Sequence, residues 1–161
     1  MNFAVLNIGE ETLFLRFTAQ AYAELQEKYG TIAKAFDVLQ TVNVNALVDI
    51  LEVLARCGEL SRRYLGYDHA HIYTTNELMT IIQPNDIVNI RQMITNAFLD
   101  GIGEREQEGS VDLGLVQLNK EKPLDLSVLY RAALTMGMSL KELYMTPIGQ
   151  IFDMMEAKNG N

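Results

Sequence analysis

The chain has 161 residues, 48% of them hydrophobic, which is enough to bury one core with a small appendage beside it. A formal net charge of −8 and a pI near 4.7 exclude the clustered basic face that counterion release from nucleic acid requires. The lone cysteine, Cys57, excludes an internal disulfide, no apolar run is long enough to span a membrane, and the opening MNFAVLNIGEE lacks the basic flank and cleavage site of a secretory signal. The expectation is a soluble protein of a reducing cytoplasm, with no nucleic-acid and no membrane partner.

In chain order, Phe3 to Ile8 and Thr12 to Phe17 are short β-prone runs separated by Gly9-Glu10, and Leu13, Leu15 and Phe17 share one face of a predicted hairpin. Two strands alone are marginal, so the hairpin must pack on helices. Thr18 offers an N-cap for a helix through Tyr29, with Tyr22, Leu25 and Tyr29 on one stripe and Gly30 as its stop. Thr31 starts another short helix through Leu39. Asn45 caps a predicted long helix to Leu65: Leu47, Ile50, Leu51, Leu54 and Cys57 recur at helical spacing, and Asp49, Glu52, Arg56, Glu59 and Arg63 form its charged side. A shorter helix follows Thr75 and ends before Pro84. Residues 86–99 form an amphipathic helix with Ile87, Ile90, Ile94, Ala97 and Phe98 on one side.

From Asp100 to Leu124 the apolar period breaks in the glycine- and acid-rich GIGEREQEGSVDLG, which reads as a flexible linker or loop. Regularity returns at Asp125, a cap for a helix to Met136 stopped by Gly137. Ser139 and Glu142 have capping-box spacing, and Thr146-Pro147 sets a last helix with proline at its first position. The fold class is therefore mainly α with a short N-terminal β-hairpin (α+β). It divides into a hairpin plus helical body over 1–100, a linker over 101–124 and a helical C-terminal module over 125–161.

Candidate chemistry is sparse. His69 and His71 are two apart without a third soft ligand nearby, so an exposed loop pair is expected rather than a metal site. The acidic linker lacks the ligand spacing of a calcium loop. Gly101, Gly103 and Gly109 follow a helix and precede no Lys-Ser/Thr pair, which removes the reading as a phosphate cradle. Cys57 sits on an apolar stripe and reads as a buried thiol. No cofactor, no metal and no catalytic residue is expected, and the chain reads as a protein that is not an enzyme.

Binding is the more informative direction. Five of the eight methionines, Met136, Met138, Met145, Met154 and Met155, fall within the C-terminal module. Flexible thioethers adapt to irregular partner surfaces, or they pack short helices onto a body. Ile148, Ile151, Phe152 and Met155 lie at i, i+3, i+4 and i+7, a continuous stripe that must be covered. The residues expected to meet a partner are Tyr130, Met138, Leu143, Tyr144, Met145, Ile148, Ile151, Phe152 and Met155, with the covering surface left open between a partner and the body.

A hairpin ending in LFLRF, followed by the helix AQAYAELQEKYG, is similar to the opening of tail assembly chaperones of long-tailed (siphovirus-type) phages and prophages of Gram-positive bacteria. The stretch YRAALTMGMSLKELYMTPIGQIFDMM resembles the region such phages encode just downstream, through Tyr130, Gly137, Met138, Ser139, Glu142, Thr146 and Pro147; the middle of the chain matches only in helical character. The resemblance implies a non-enzymatic chaperone of the host bacterial cytoplasm that coats the tape-measure protein, recruits major tail protein during tube growth and is able to self-associate. It also implies that the longer product of such a gene arises by ribosomal frameshifting near the linker, where Asn119, Lys120, Glu121 and Lys122 permit an adenine-rich message. The alternatives are a structural tail or connector subunit retained in the virion and a small enzyme with a deep polar pocket.

Overall fold

The computed structural model describes residues 3–41, 43–102 and 126–159. The fold is mainly helical with an antiparallel N-terminal hairpin, as the change of period at Thr18 predicts. Strands β1 (Ala4–Ile8) and β2 (Glu11–Leu15) pair Ala4 with Leu15, Leu6 with Leu13 and Ile8 with Glu11 around a turn in which Gly9 takes φ 60°. Alternation puts Ala4, Leu6, Ile8, Leu13 and Leu15 inward, where α3 (Val44–Tyr64) and α5 (Ile87–Ile102) cover them.

The local signals explain most helix limits. Helix α1 (Ala19–Tyr29) is capped by Thr18, whose Oγ1 accepts from the Ala21 N–H at 3.2 Å, and is closed by Gly30 at φ 90°. Thr31 caps α2 (Ile32–Leu39) in the same way. The cap of α3 is Asn43 rather than Asn45: Asn43 is the extended residue, and its Oδ1 accepts from the Ala46 N–H at 3.1 Å. Thr74, one residue ahead of the expected start, forms a full capping box with Glu77 on α4 (Thr75–Ile81). Pro84 opens a 3₁₀ turn, Pro84–Asp86, that leads into α5.

Two corrections follow from packing. Helix α5 runs through Asp100 and Gly101 to Ile102, past the expected start of the linker. A Cβ on Gly101 would lie 2.5 Å from the Phe17 Cβ, so this glycine serves a close helix-to-core approach rather than a loop. The remainder of the expected linker, with Asp125, lies outside the described residues. Glu59, expected on the solvated side of α3, is buried, and it ion-pairs with Arg62 at 2.5 Å and Arg63 at 3.0 Å while accepting from the Ala70 N–H at 2.8 Å. Arg63 also donates to the Ala70 carbonyl, so this cluster pins the segment after α3 to the helix.

Burial works against the Glu59 charge, but the Ala70 N–H and the two guanidinium groups outweigh it and hold the carboxyl below its ordinary range. A depressed carboxylate pKa adds stability that is present above the unfolded value, near 4.3 for a free Glu, and lost as pH falls through the folded value. Glu59→Gln should therefore cost roughly 2–3 kcal/mol at pH 7, since two arginines lose their carboxylate yet keep part of their surface in water. Chemical denaturation should find that difference shrinking as the pH drops below the carboxylate range; a pH-independent difference would refute the ionic origin.

The C-terminal segment forms α6 (Leu126–Thr135), α7 (Leu140–Met145) and α8 (Ile148–Asn159). Gly137, at φ 75°, closes α6 as expected, and Ser139 caps α7 by accepting from the Glu142 N–H. Pro147 is not the first residue of α8: it pairs with Thr18 in an isolated antiparallel bridge, flanked by Ala19 N–H to Thr146 O at 2.8 Å and Ile148 N–H to Phe17 O at 3.2 Å. Those two bonds stitch the module to the junction of hairpin and α1. No helix among the described residues is long and apolar enough to cross a membrane.

Candidate partner-binding surface

The docked module sorts the nine residues expected to meet a partner. Leu143, Ile148 and Ile151 are buried in the same core as Phe17, Leu25 and Phe98, so their reading as contact residues is corrected: the body already covers them. The physical reason is the bridge at Pro147, which directs α7 toward α1 and α3 and α8 toward α5. Met138 and Tyr144 are partly buried against that core, Met145 is half-buried and Tyr130 is exposed. Phe152 and Met155 lie on the α8 backbone, but their side chains are outside the described residues.

What stays open to solvent lies in two grooves on either side of α7. One, of about 770 Å³, runs between α1 and the module and is lined by Gln20, Glu24, Glu27, Arg56, Tyr130 and Tyr144. Tyr130 and Tyr144 stand with ring centroids 6.4 Å apart and hydroxyls 3.3 Å apart. The hydrogen bond to Tyr130, then partial burial, raises the Tyr144 pKa, so that phenol keeps its proton at neutral pH. Arg56 is fixed at the floor by Glu24 at 2.6 and 2.9 Å and by Glu52 at 2.8 Å, which hold its pKa above the ordinary value. The groove therefore offers aromatic edges and hydroxyls over an ion network in which Arg56 is already paired with two carboxylates.

The second groove, of about 250 Å³, is lined by Arg16, Tyr64, Leu65, Met138, Met145, Pro147 and Met154, with Glu142 and Gln150 on its wall. Tyr64, Leu65 and Met154 are exposed, and Lys141 reaches over the Tyr64 ring. Arg16, Tyr64 and Leu65 were absent from the sequence expectation. The two-residue period beginning at Leu13 assigns Arg16 to the solvent face of the hairpin, but it is buried, with Ser61 of α3 and the Phe3 ring against it and the returning module across the groove. Tyr64 and Leu65 sit at the end of α3, where an apolar stripe that overruns its helix is the one available signal.

The remaining constellations behave as packing. Cys57 is buried, and desolvation followed by the Glu24 charge pushes its thiol up to about 12, far from a nucleophile's range. His71 pairs with Glu77 at 2.6 Å, beside Tyr73, which donates to Glu11. Desolvation and that carboxylate raise the Tyr73 phenol to about 12. No group of three or more His, Cys, Asp or Glu side chains suited to a metal ion occurs among the described residues. No family model, curated protein or solved structure matches the chain.

Proposed function

We propose that the protein is a non-enzymatic chaperone of bacteriophage tail assembly that works in the host bacterial cytoplasm, holding the tape-measure protein and recruiting major tail protein. The observation that supports a holding role is the pairing of a closed core with methionine- and tyrosine-lined grooves: Met138, Met145 and Met154 with Tyr64 in one, Tyr130 with Tyr144 in the other. Leu134 and Leu140 add large exposed apolar side chains on the module, 79% and 57% exposed. Adaptable thioethers and amphipathic aromatic rings suit a surface that must accept many apolar sequences along an extended chain. Holding such a chain keeps it from aggregating until tube subunits displace the chaperone.

Mass spectrometry of infected-cell lysates and of purified virions tests this reading. The chain should co-purify with tape-measure protein from lysates and be missing from finished particles. Stoichiometric presence in virions would make it a structural tail or connector subunit instead.

A further inference from the structure

Arg16 is the most buried cation among the described residues. It is 4% exposed, Nη1 donates to Ser61 Oγ, its Cζ lies 5.1 Å from the centre of the Phe3 ring, and Nε has no partner. Among the described residues no carboxylate lies within 4.0 Å of it. Every other arginine in an ion pair here, Arg56, Arg62 and Arg63, is more exposed than Arg16 and has at least one carboxylate. A guanidinium stays protonated in a protein, and burying it without a counter-charge is costly, so the arrangement is incomplete. Desolvation lowers the Arg16 pKa, in keeping with a charge that lacks a partner.

Arg16 also forms part of the wall of the smaller groove, whose apolar walls are Met138, Met145, Met154, Leu65, Tyr64 and Pro147 and whose polar ones are Ser61, Glu142, Thr146 and Gln150. A volume of about 250 Å³ falls below the roughly 300–1,000 Å³ of small-molecule sites and suits one apolar side chain with a small polar head. An internal acidic residue would bring flanking peptide groups on both sides, each needing a hydrogen-bond partner, and of the polar lining Ser61 already accepts from Arg16 and Thr146 already donates to the Glu142 carbonyl, which leaves the Glu142 and Gln150 side chains at the wall. A chain terminus brings a peptide from one side only, and hangs its carboxylate and its last side chain from the same Cα. Glu142 lines the groove from α7, but it is exposed and its charge is solvated.

We propose that this groove docks the C-terminus of a partner polypeptide, with the last, apolar side chain against the methionines and the terminal carboxylate paired with Arg16. Such capture is charge-assisted and directional, because a guanidinium presents its donors as a planar fork. The inference does not rest on the tail-assembly reading: any polypeptide with an apolar terminus qualifies, and its failure leaves the virion composition test untouched.

The test uses the full chain with ¹³C-methyl methionine and three acetylated tripeptides: Ala-Ala-Leu as the free acid, Ala-Ala-Leu as the amide, and Ala-Glu-Leu as the amide. The free acid should shift the methyl signals of Met138, Met145 and Met154 in a saturable way. Both amides should bind at least about tenfold more weakly, the loss expected when a charge-assisted bond is removed. Arg16→Met should abolish the advantage of acid over amide. Equal binding of acid and amide, preference for the internal acid, no shift at these methionines, or an advantage that survives Arg16→Met would each overturn the proposal. The acid-to-amide comparison needs no variant, so it decides the matter even if Arg16→Met does not fold.

Discussion

Replacing Gly58 by alanine should destabilise the protein by roughly 3 kcal/mol and lower its Tm by about 6–12 °C. Intrinsic propensity argues the other way, since alanine in a helix interior is favoured over glycine by about 1 kcal/mol. Geometry decides. A Cβ built on Gly58 would lie 1.9 Å from the Phe14 carbonyl oxygen and 2.7 Å from its carbon. Those are backbone atoms of β2, so no rotamer relieves the clash, and α3 must move off the strand. Arg16 N–H donates to the Leu54 carbonyl at 3.2 Å across the same contact, and that bond would be stretched as well. Thermal unfolding followed by circular dichroism checks this; an unchanged or raised Tm would mean that β2 does not sit against α3 in this way.

The largest effect is expected from the C-terminal module. Ile148 and Ile151 are fully buried, at i and i+3 on α8, which packs on α5. Each truncation to alanine should cost about 2–4 kcal/mol, and the pair, being in one cluster, need not add fully. Against a total stability of about 5–15 kcal/mol, the double variant should lie close to unfolding. Ending the chain after Leu124 should act in the same direction, because it removes Leu143, Ile148 and Ile151 from the shared core and leaves Phe17 O and the Ala19 N–H without partners. A truncated body or a double variant that melted like the intact protein would show that the module is an appended arm rather than part of the core.

How much of this was legible depended on whether a residue's role is set locally. Thr18, Gly30, Thr31, Gly137 and Ser139 act within a few residues of themselves, and hydroxyl caps and left-handed glycines can be read from spacing alone. The hairpin was legible through the alternation of Leu13, Leu15 and Phe17 and the Gly9-Glu10 break before it. Gly58, Gly101 and Glu59 were not, because each is defined by a segment distant in sequence or by a turn of the chain that no period announces: the Phe14 backbone, Phe17, and the Ala70 N–H.

The site was half legible for the same reason. Methionine density and the stripe on α8 marked the module as apolar, but which side faces outward is fixed by the pairing of Thr18 with Pro147, across most of the chain length. That contact moved Leu143, Ile148 and Ile151 into the core and left Tyr130, Met138, Tyr144 and Met145 beside the grooves. It also brought the module across the groove from Arg16, whose burial no local pattern marks. Ile148 and Ile151, the stripe residues whose side chains are described, are covered by the protein's own body.

Whether the chain holds a tape-measure protein, as proposed, is tested most directly by co-expressing the two from the same genome. Tape-measure protein made alone should be found mainly in the insoluble fraction, and the intact chain should bring it into solution as a complex. Tyr64→Ser with Met154→Ser, both exposed positions whose loss should leave Tm nearly unchanged, should weaken that rescue. Tape-measure protein that stays insoluble beside abundant, folded wild-type chain would contradict the account.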